Sequence, residues 1–75
     1  MEILVFGMLA DALKSDRVHI KDVKDTNELL FKLKNLNPIF SQTNFIVAVN
    51  KKIINGNIDI NKDDEVAILP PFAGG

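Results

Sequence analysis

The absence of cysteine most constrains what this chain of 75 residues can fold into. Small domains bury a modest share of their surface, and many depend on disulfides or a structural metal for stability. With no cysteine and a single histidine, His19, neither support is open to this chain. Stability must come from side-chain packing in one domain, residues 1–75, which is too small to hold both a deep catalytic cleft and a core.

Charge and hydropathy exclude two further classes of protein. Ten acidic and nine basic residues give a net charge of −1, whereas a nucleic-acid binder needs a clustered basic face. The longest apolar stretch, residues 3–10, is too short to span a bilayer, and no basic residue precedes it as in a signal peptide. We therefore expect a cytoplasmic protein that binds neither membranes nor nucleic acid.

Apolar runs separated by turn residues predict a sheet of four to five strands. The predicted strands are residues 3–6, 18–20, 45–49, 52–54 and 65–69. Asn50 and Lys51 predict a tight turn between the third and fourth of them. Residues 8–13 can add a helical turn after the first strand.

One segment carries a convincing helix pattern. Asp25 or Thr26 can cap its start, and the helix should stop before Pro38, because proline disfavours helical geometry in the preceding residue. Its apolar positions are Leu29, Leu33 and Leu36. One main helix packed on one face of a mixed sheet is an α+β architecture, and it resembles the β-grasp (ubiquitin-like) fold.

The first and last strands do not alternate apolar and polar residues, although one helix covers only one face of a sheet. Four residues should point to the helix, namely Ile3, Val5, Val66 and Ile68. Four others should then form an apolar patch on the opposite face: Leu4, Phe6, Ala67 and Leu69. Loops or the turn at residues 8–13 can cover such a patch; the interpretation we favour is a docking face for another protein.

The last six residues, 70–75, predict an extended C-terminal tail. Pro70 and Pro71 have fixed φ angles and no N–H to donate to the sheet, so the chain must leave it stiff and extended. Phe72 and Ala73 follow, and Gly74-Gly75 are narrow enough to thread a tunnel in a partner. The only plausible reacting group is the α-carboxylate of Gly75, a poor electrophile until ATP converts it to a mixed anhydride. The alternative is a frayed terminus without function.

Other candidate sites fail on their spacing. Residues 59–64 begin like a calcium loop, but Asp64 stands where glycine is needed and Pro70 where glutamate is needed, so we interpret them as a solvated acidic turn. His19 lacks a partner for catalysis or metal binding. No glycine-rich phosphate loop is present. We expect this chain to bind no cofactor and no metal by itself.

These features resemble the small subunit of molybdopterin synthase, the MoaD family, within the ubiquitin-like sulfur carriers that include the thiamin-pathway carrier ThiS. The resemblance covers nearly the whole chain. It is strongest in residues 3–7, in residues 47–50, and above all in residues 64–75, which read D-E-V-A-I-L-P-P-F-A-G-G.

The resemblance implies a sulfur carrier that is not an enzyme on its own. An E1-like adenylyltransferase would use ATP to activate the carboxylate of Gly75, and a sulfur donor protein would convert it to a thiocarboxylate (a 1-thioglycine modification). The tail, Phe72 to Gly75, would insert into the large catalytic synthase subunit, in a heterotetramer, and give sulfur to a pterin precursor of the molybdenum cofactor. Phe6 and Leu69 match the docking face, and Leu4, Ala67, Pro70 and Pro71 complete our partner-binding prediction.

The sequence departs from the family in the turn before the last strand and in Phe72-Ala73. The departures keep hydrophobicity and tail length, so they bear on partner affinity more than on chemistry. Two alternatives stay open. One is a carrier for another pathway, either a ThiS-like thiazole carrier or a ubiquitin-like protein modifier. The other is a non-catalytic β-grasp interaction module whose tail is inert.

Overall fold

A computed structural model describes residues 1–71, which form a mixed five-stranded sheet with helices packed on it. The strands are β1 (Glu2–Val5), β2 (Arg17–His19), β3 (Ile46–Val49), β4 (Lys52–Ile53) and β5 (Val66–Leu69). The helices are α1 (Gly7–Leu13), α2 (Thr26–Leu36) and α3 (Ile39–Gln42). The sheet order is β2-β1-β5-β3-β4; β1 and β5 are parallel, and the other neighbours are antiparallel. The α+β prediction is confirmed.

The first and last strands lie side by side at the centre of the sheet, as predicted. Ile3 pairs with Val66, and Val5 pairs with Ile68. All four side chains are buried in the core that α2 covers. Parallel strands need a long crossover connection, so this pair depends on contacts between the two ends of the described chain.

The main helix, α2, begins where its capping residues predict. The carboxylate of Asp25 accepts a hydrogen bond from the Glu28 N–H at 2.8 Å. The Glu28 side chain reaches back to the Lys24 N–H, one residue before the cap, at 2.9 Å. In the usual capping box the glutamate side chain accepts the N–H of the cap residue itself. The arrangement here is therefore a variant of that motif. Each bond satisfies a backbone donor, one in the first turn of the helix and one just ahead of it.

The buried face of α2 is shorter than predicted. Leu29 and Leu33 are fully buried, but Leu36 is 53% exposed, so its assignment to the apolar face is wrong. Leu36 is the last residue of α2 and lies at the surface beside Phe31. Beyond the end of α2, the core is completed by Phe40 of α3, a short helix that the pattern did not predict.

Pro38 ends α2 as predicted and then begins α3. Its φ of −58° suits the start of a helix, and the Asn37 side chain accepts the Ile39 N–H at 3.0 Å. Phe40 packs edge-to-face on Phe45, with ring centroids 5.7 Å apart. A proline-centred loop thus delivers an aromatic side chain to the core before β3.

The turn between β3 and β4 has the tight geometry that the sequence indicates. Asn50 and Lys51 both have positive φ, 52° and 70°, as a two-residue type I′ hairpin turn requires. Asn50 also accepts the Glu65 N–H and donates to Asp64. The predicted acidic turn at residues 59–64 is therefore tied by hydrogen bonds to the β3–β4 turn.

The carboxylate of Asp64 has a structural role in that acidic turn. It accepts the Asn61 N–H at 2.8 Å, and it accepts a second bond from the Asn50 side chain at 3.0 Å. Both bonds favour the charged form, and together they lower the pKa of Asp64 below its ordinary value of 3.8. The fixed turn holds the chain that leads into β5.

Candidate functional site

The open face of the sheet, defined here as the side turned away from α2, carries the predicted apolar patch. Leu4 pairs with Ala67, and their side chains share this face because paired residues in a sheet point the same way. Both are half-buried, as is Leu69 two residues further along β5. None of the three belongs to the core cluster under α2. The structure thus brings Leu4, Ala67 and Leu69 together as predicted.

Phe6 extends the patch beyond the end of β1. Its backbone is still extended, with φ −121° and ψ 161°, and its N–H donates to the Ile68 carbonyl at 3.0 Å. Phe6 lies two residues after Leu4, so both side chains point to the same face of the sheet. Its side chain is 47% exposed, so α1 does not bury it. The α1 residue Leu9 points instead into the core.

The patch is larger than the sequence indicated, because β3 and β4 continue it. Ala48 pairs with both Ala67 and Ile53, and Ile46 pairs with Leu69. Ala48, Ile53 and Ile46 therefore share the open face, where Ile53 is exposed and Ala48 is buried between its neighbours. The signal for Ile46 and Ala48 was the uninterrupted apolar run at residues 45–49, which indicates apolar residues on both faces of β3.

Polar residues border the patch at β2. Arg17 pairs with Leu4, so it lies on the open face, and its guanidinium binds the Glu2 carboxylate at 2.9 Å. An apolar centre with a polar rim is typical of surfaces that bind another protein. This ion pair is exposed, so it contributes little to stability.

Two prolines release the chain from the sheet immediately after the patch. Given the register of the parallel pair, the next bond between β5 and β1 would need an N–H on residue 70. The antiparallel register with β3 would need one on residue 71. Pro70 and Pro71 have no N–H, so each removes the bond to one neighbour of β5 in turn. The predicted tail residues Phe72, Ala73, Gly74 and Gly75 lie outside the described residues.

A surface groove of about 700 Å³ lies between the α2–α3 region and the β3–β4 hairpin, and it meets the patch at Ile46 and Ile53. Thr26, Phe40 and Asn57 are among its lining residues, and the predicted partner-binding residues are not. Thr26 is buried, and its hydroxyl accepts the Ile58 N–H at 2.7 Å and lies 3.0 Å from the Asn57 side-chain oxygen. This polar network ties α2 to the loop before β5. Within residues 1–71, no buried side-chain nitrogen or oxygen lacks a hydrogen-bond partner.

The chemistry available in residues 1–71 is limited. This part of the chain holds no group of three or more His, Asp or Glu side chains placed to bind a metal ion. His19 is exposed on β2, and within residues 1–71 it forms no salt bridge with an acidic side chain. The longest helix described, α2, has 11 residues, and no helix within residues 1–71 is long and apolar enough to cross a membrane.

The fold and the patch define a class: a small β-grasp domain with an apolar surface patch on the open face of its sheet. A sequence model of the ThiS family matches residues 3–75. The chain is 35% identical over 81 aligned positions to the molybdopterin synthase sulfur carrier subunit of Dictyostelium discoideum, covering 99% of this chain and 94% of that protein. The chain therefore belongs to the ThiS family and is a homologue of that subunit.

Two solved structures are similar over nearly the whole chain. SAMP1 from Haloferax volcanii superposes with a TM-score of 0.72 at 22% identity, covering 99% of this chain and 97% of the other, and it supports the fold. A complex of subunits 1 and 2 of the molybdopterin-converting factor from Helicobacter pylori contains a chain with a TM-score of 0.70 at 26% identity, covering 99% of this chain and 96% of that one. The β-grasp prediction is confirmed.

Proposed function

We propose that this protein is the sulfur carrier subunit of a molybdopterin synthase. The observation that carries the proposal is the family match, which runs through the tail to residue 75, joined to the 35% identity with a sulfur carrier subunit. The described residues support it physically. The apolar patch offers a docking surface, and Pro70 and Pro71 end the hydrogen bonds of β5 to its two neighbouring strands.

The carboxylate of Gly75 is the proposed site of chemistry. A carboxylate is a poor electrophile, so it first attacks the α-phosphate of ATP and forms an acyl-adenylate with release of pyrophosphate. The sulfur of a persulfide then displaces AMP, and a thiol cleaves the resulting acyl disulfide to leave a thiocarboxylate. This chain has no cysteine, so the persulfide and the thiol belong to other proteins.

The proposed partners follow from this chemistry. An E1-like adenylyltransferase supplies the ATP site, a sulfur donor protein supplies the persulfide, and the large synthase subunit accepts the tail and holds the pterin precursor. The match to a complex of two molybdopterin-converting factor subunits supports the large-subunit partner. In this proposal the chain is a non-catalytic subunit of a cytoplasmic heterotetramer, and it binds no cofactor itself.

Intact-mass measurement tests the proposal directly. The purified chain is incubated with its adenylyltransferase, ATP and a persulfide donor, and a mass gain equal to replacement of one oxygen by sulfur is expected. Omission of ATP is the control, because the acyl-adenylate cannot then form. Absence of the sulfur-bearing product in the complete mixture would contradict the proposal.

A carrier for another pathway is the second candidate, because the family model that matches the chain is named for ThiS. Such a carrier would form the same thiocarboxylate, so the mass test does not separate the two. The partner does: recovery of a pterin-binding subunit supports molybdopterin synthesis, whereas recovery of a thiazole synthase, or of proteins joined covalently to Gly75, supports the alternatives.

Changing Phe6→Asp should break binding to the large subunit while leaving the fold intact. Phe6 lies on the open face at 47% exposure, so its loss opens no cavity. Large aromatic side chains are frequent hot spots of protein interfaces and contribute about 2 kcal/mol or more there, so we expect affinity to fall roughly 30-fold or more. Isothermal titration calorimetry measures the affinity of each variant for the large subunit.

Phe31→Asp is the matched control for Phe6→Asp. Phe31 lies on α2, on the other side of the sheet, and is 68% exposed, so the same substitution there should leave affinity unchanged. Equal losses of affinity in both variants would show that charge, rather than the patch, governs binding. Unfolding of the Phe6 variant alone would show that Phe6 belongs to the core.

A further inference from the structure

Gly7 and Pro70 are in contact at the point where the tail leaves the sheet. Gly7 follows Phe6 directly, and the register that pairs Val5 with Ile68 places residue 7 opposite residue 70. A Cβ atom on Gly7 would lie 2.9 Å from Pro70 Cγ, and 3.3 Å from both Cβ and Cδ of that ring. A real Cβ atom does not approach so closely, so only glycine leaves room for Pro70 in this position.

This contact replaces the hydrogen bond that the ladder loses at Pro70. Because Pro70 has no N–H, it cannot bond to the carbonyl of Phe6. That carbonyl belongs to the N-cap residue of α1, and an N-cap carbonyl accepts the first bond inside its helix. Pro70 is nevertheless half-buried. The bare backbone of Gly7 is therefore one surface against which the Pro70 ring packs.

A shift of Pro70 would move the point from which the tail starts. The φ angles of Pro70 and Pro71 are fixed, so a change in the position of the first ring is passed on to Pro71 and changes where residues 72–75 begin. Misplacing a reacting group by about 1 Å can cost roughly 100-fold in rate.

We propose that Gly7 is a positioning residue, which sets the direction of the C-terminal tail by letting Pro70 pack against its backbone. The role in catalysis rests on the proposed function, because the tail must carry a reacting carboxylate. The structural part of the proposal, in which the direction of the tail depends on Gly7, does not rest on the proposed function. The prediction is that a side chain at residue 7 redirects the tail while the β-grasp core stays folded.

The test compares Gly7→Ala with Gly56→Ala. Both glycines have positive φ, 67° and 82°, so alanine is strained at either position. A Cβ on Gly56 would meet nothing within 4 Å, whereas a Cβ on Gly7 would meet Pro70. We therefore expect similar shifts in the urea midpoint, but only Gly7→Ala should lower kcat for adenylation, by tenfold or more, with KM changed less than twofold.

A double variant shows whether the effect passes through the Pro70 ring. Pro70→Ala removes the Cγ and Cδ atoms, so adding Gly7→Ala to it should cause little further loss of rate. The proposal would be overturned if the rate losses of the two single variants multiply in the double variant. It would also be overturned if Gly7→Ala is adenylated as fast as Gly56→Ala. If Gly7→Ala does not fold, Gly7→Asn carries the same Cβ with less backbone strain and replaces it.

Nuclear magnetic resonance gives a readout that is independent of activity. Gly7→Ala should shift the amide resonances of Phe72 and Ala73, and Gly56→Ala should leave them in place. Unchanged tail resonances in Gly7→Ala would overturn the inference even if the wild-type chain is adenylated normally. Conversely, a wild-type chain that is never adenylated contradicts the proposed function, whereas the tail shifts still decide the role of Gly7.

Discussion

Adding one alanine after Gly75 should abolish thiocarboxylate formation without changing the stability of the domain. The reacting group proposed here is the α-carboxylate of Gly75; an added residue converts it to an amide that cannot attack ATP, and it moves the free carboxylate one residue beyond the position proposed to react. The described core lies in residues 1–71, so the added residue removes no core contact. Intact mass after incubation with the adenylyltransferase, ATP and a persulfide donor measures the product.

A Gly75 carboxamide separates chemistry from length. It keeps the chain length and removes only the carboxylate, so it should be as inactive as the extended chain, with an unchanged urea midpoint. An interaction module with an inert tail would keep its partner binding and its biological activity in both forms. A sulfur-bearing product from the extended chain, with no trimming of the alanine, would contradict the carrier proposal.

Leu33→Ala should remove much of the stability of this domain. Leu33 is fully buried at the centre of the core under α2. Removal of a buried leucine side chain costs about 2–5 kcal/mol, because apolar contacts are lost and a cavity remains. A domain of this size is stable by roughly 4–11 kcal/mol in total. Urea denaturation measures the change in the free energy of unfolding.

Leu36→Ala is the matched control on the same helix. Leu36 is 53% exposed, so its truncation should change the free energy of unfolding by only about 0.5 kcal/mol or less. Both changes replace leucine with alanine on the same helix, and the two positions differ in burial and in that Leu36 is the last residue of α2. Equal losses at the two positions would mean that α2 packs on the sheet through a different face.

The sequence predicted the central part of the fold because local signals there agree with the tertiary structure. The Asp25 cap, the Asn50-Lys51 turn and the non-alternating first and last strands are each readable from a few neighbouring residues. The direction of the Ile3 and Val66 side chains, toward the core, then followed because successive residues of a strand point to opposite faces of the sheet. These predictions are confirmed.

The errors arose where packing decides and local pattern does not. Leu36 fits the helical repeat, but the core at the end of α2 is completed by Phe40 from α3. Residues 18–20 were predicted as a strand, whereas β2 covers Arg17–His19, a shift of one residue at a sheet edge. Strand boundaries depend on which partner residues are available, and a single sequence does not contain that information.

The candidate site was predicted in outline and was too small. Leu4, Phe6, Ala67 and Leu69 were found because β1 and β5 are apolar on both faces. Ile53 was missed, because its place in the apolar patch depends on the register between β3 and β4. The contact of Gly7 with Pro70 was also missed, because it joins residues 63 positions apart and leaves no periodic signal. The roles of the partner-binding and tail residues remain predictions.

The pairing of β1 with β5 has a consequence for synthesis of the protein in the cell. Ile3 leaves the ribosome early, but its partner Val66 is among the last core residues to be made. The centre of the sheet therefore cannot close until residues 66–69 have been made, and β1 lacks one of its two partner strands until then. Folding that depends on such distant contacts is slow and exposes strands to aggregation.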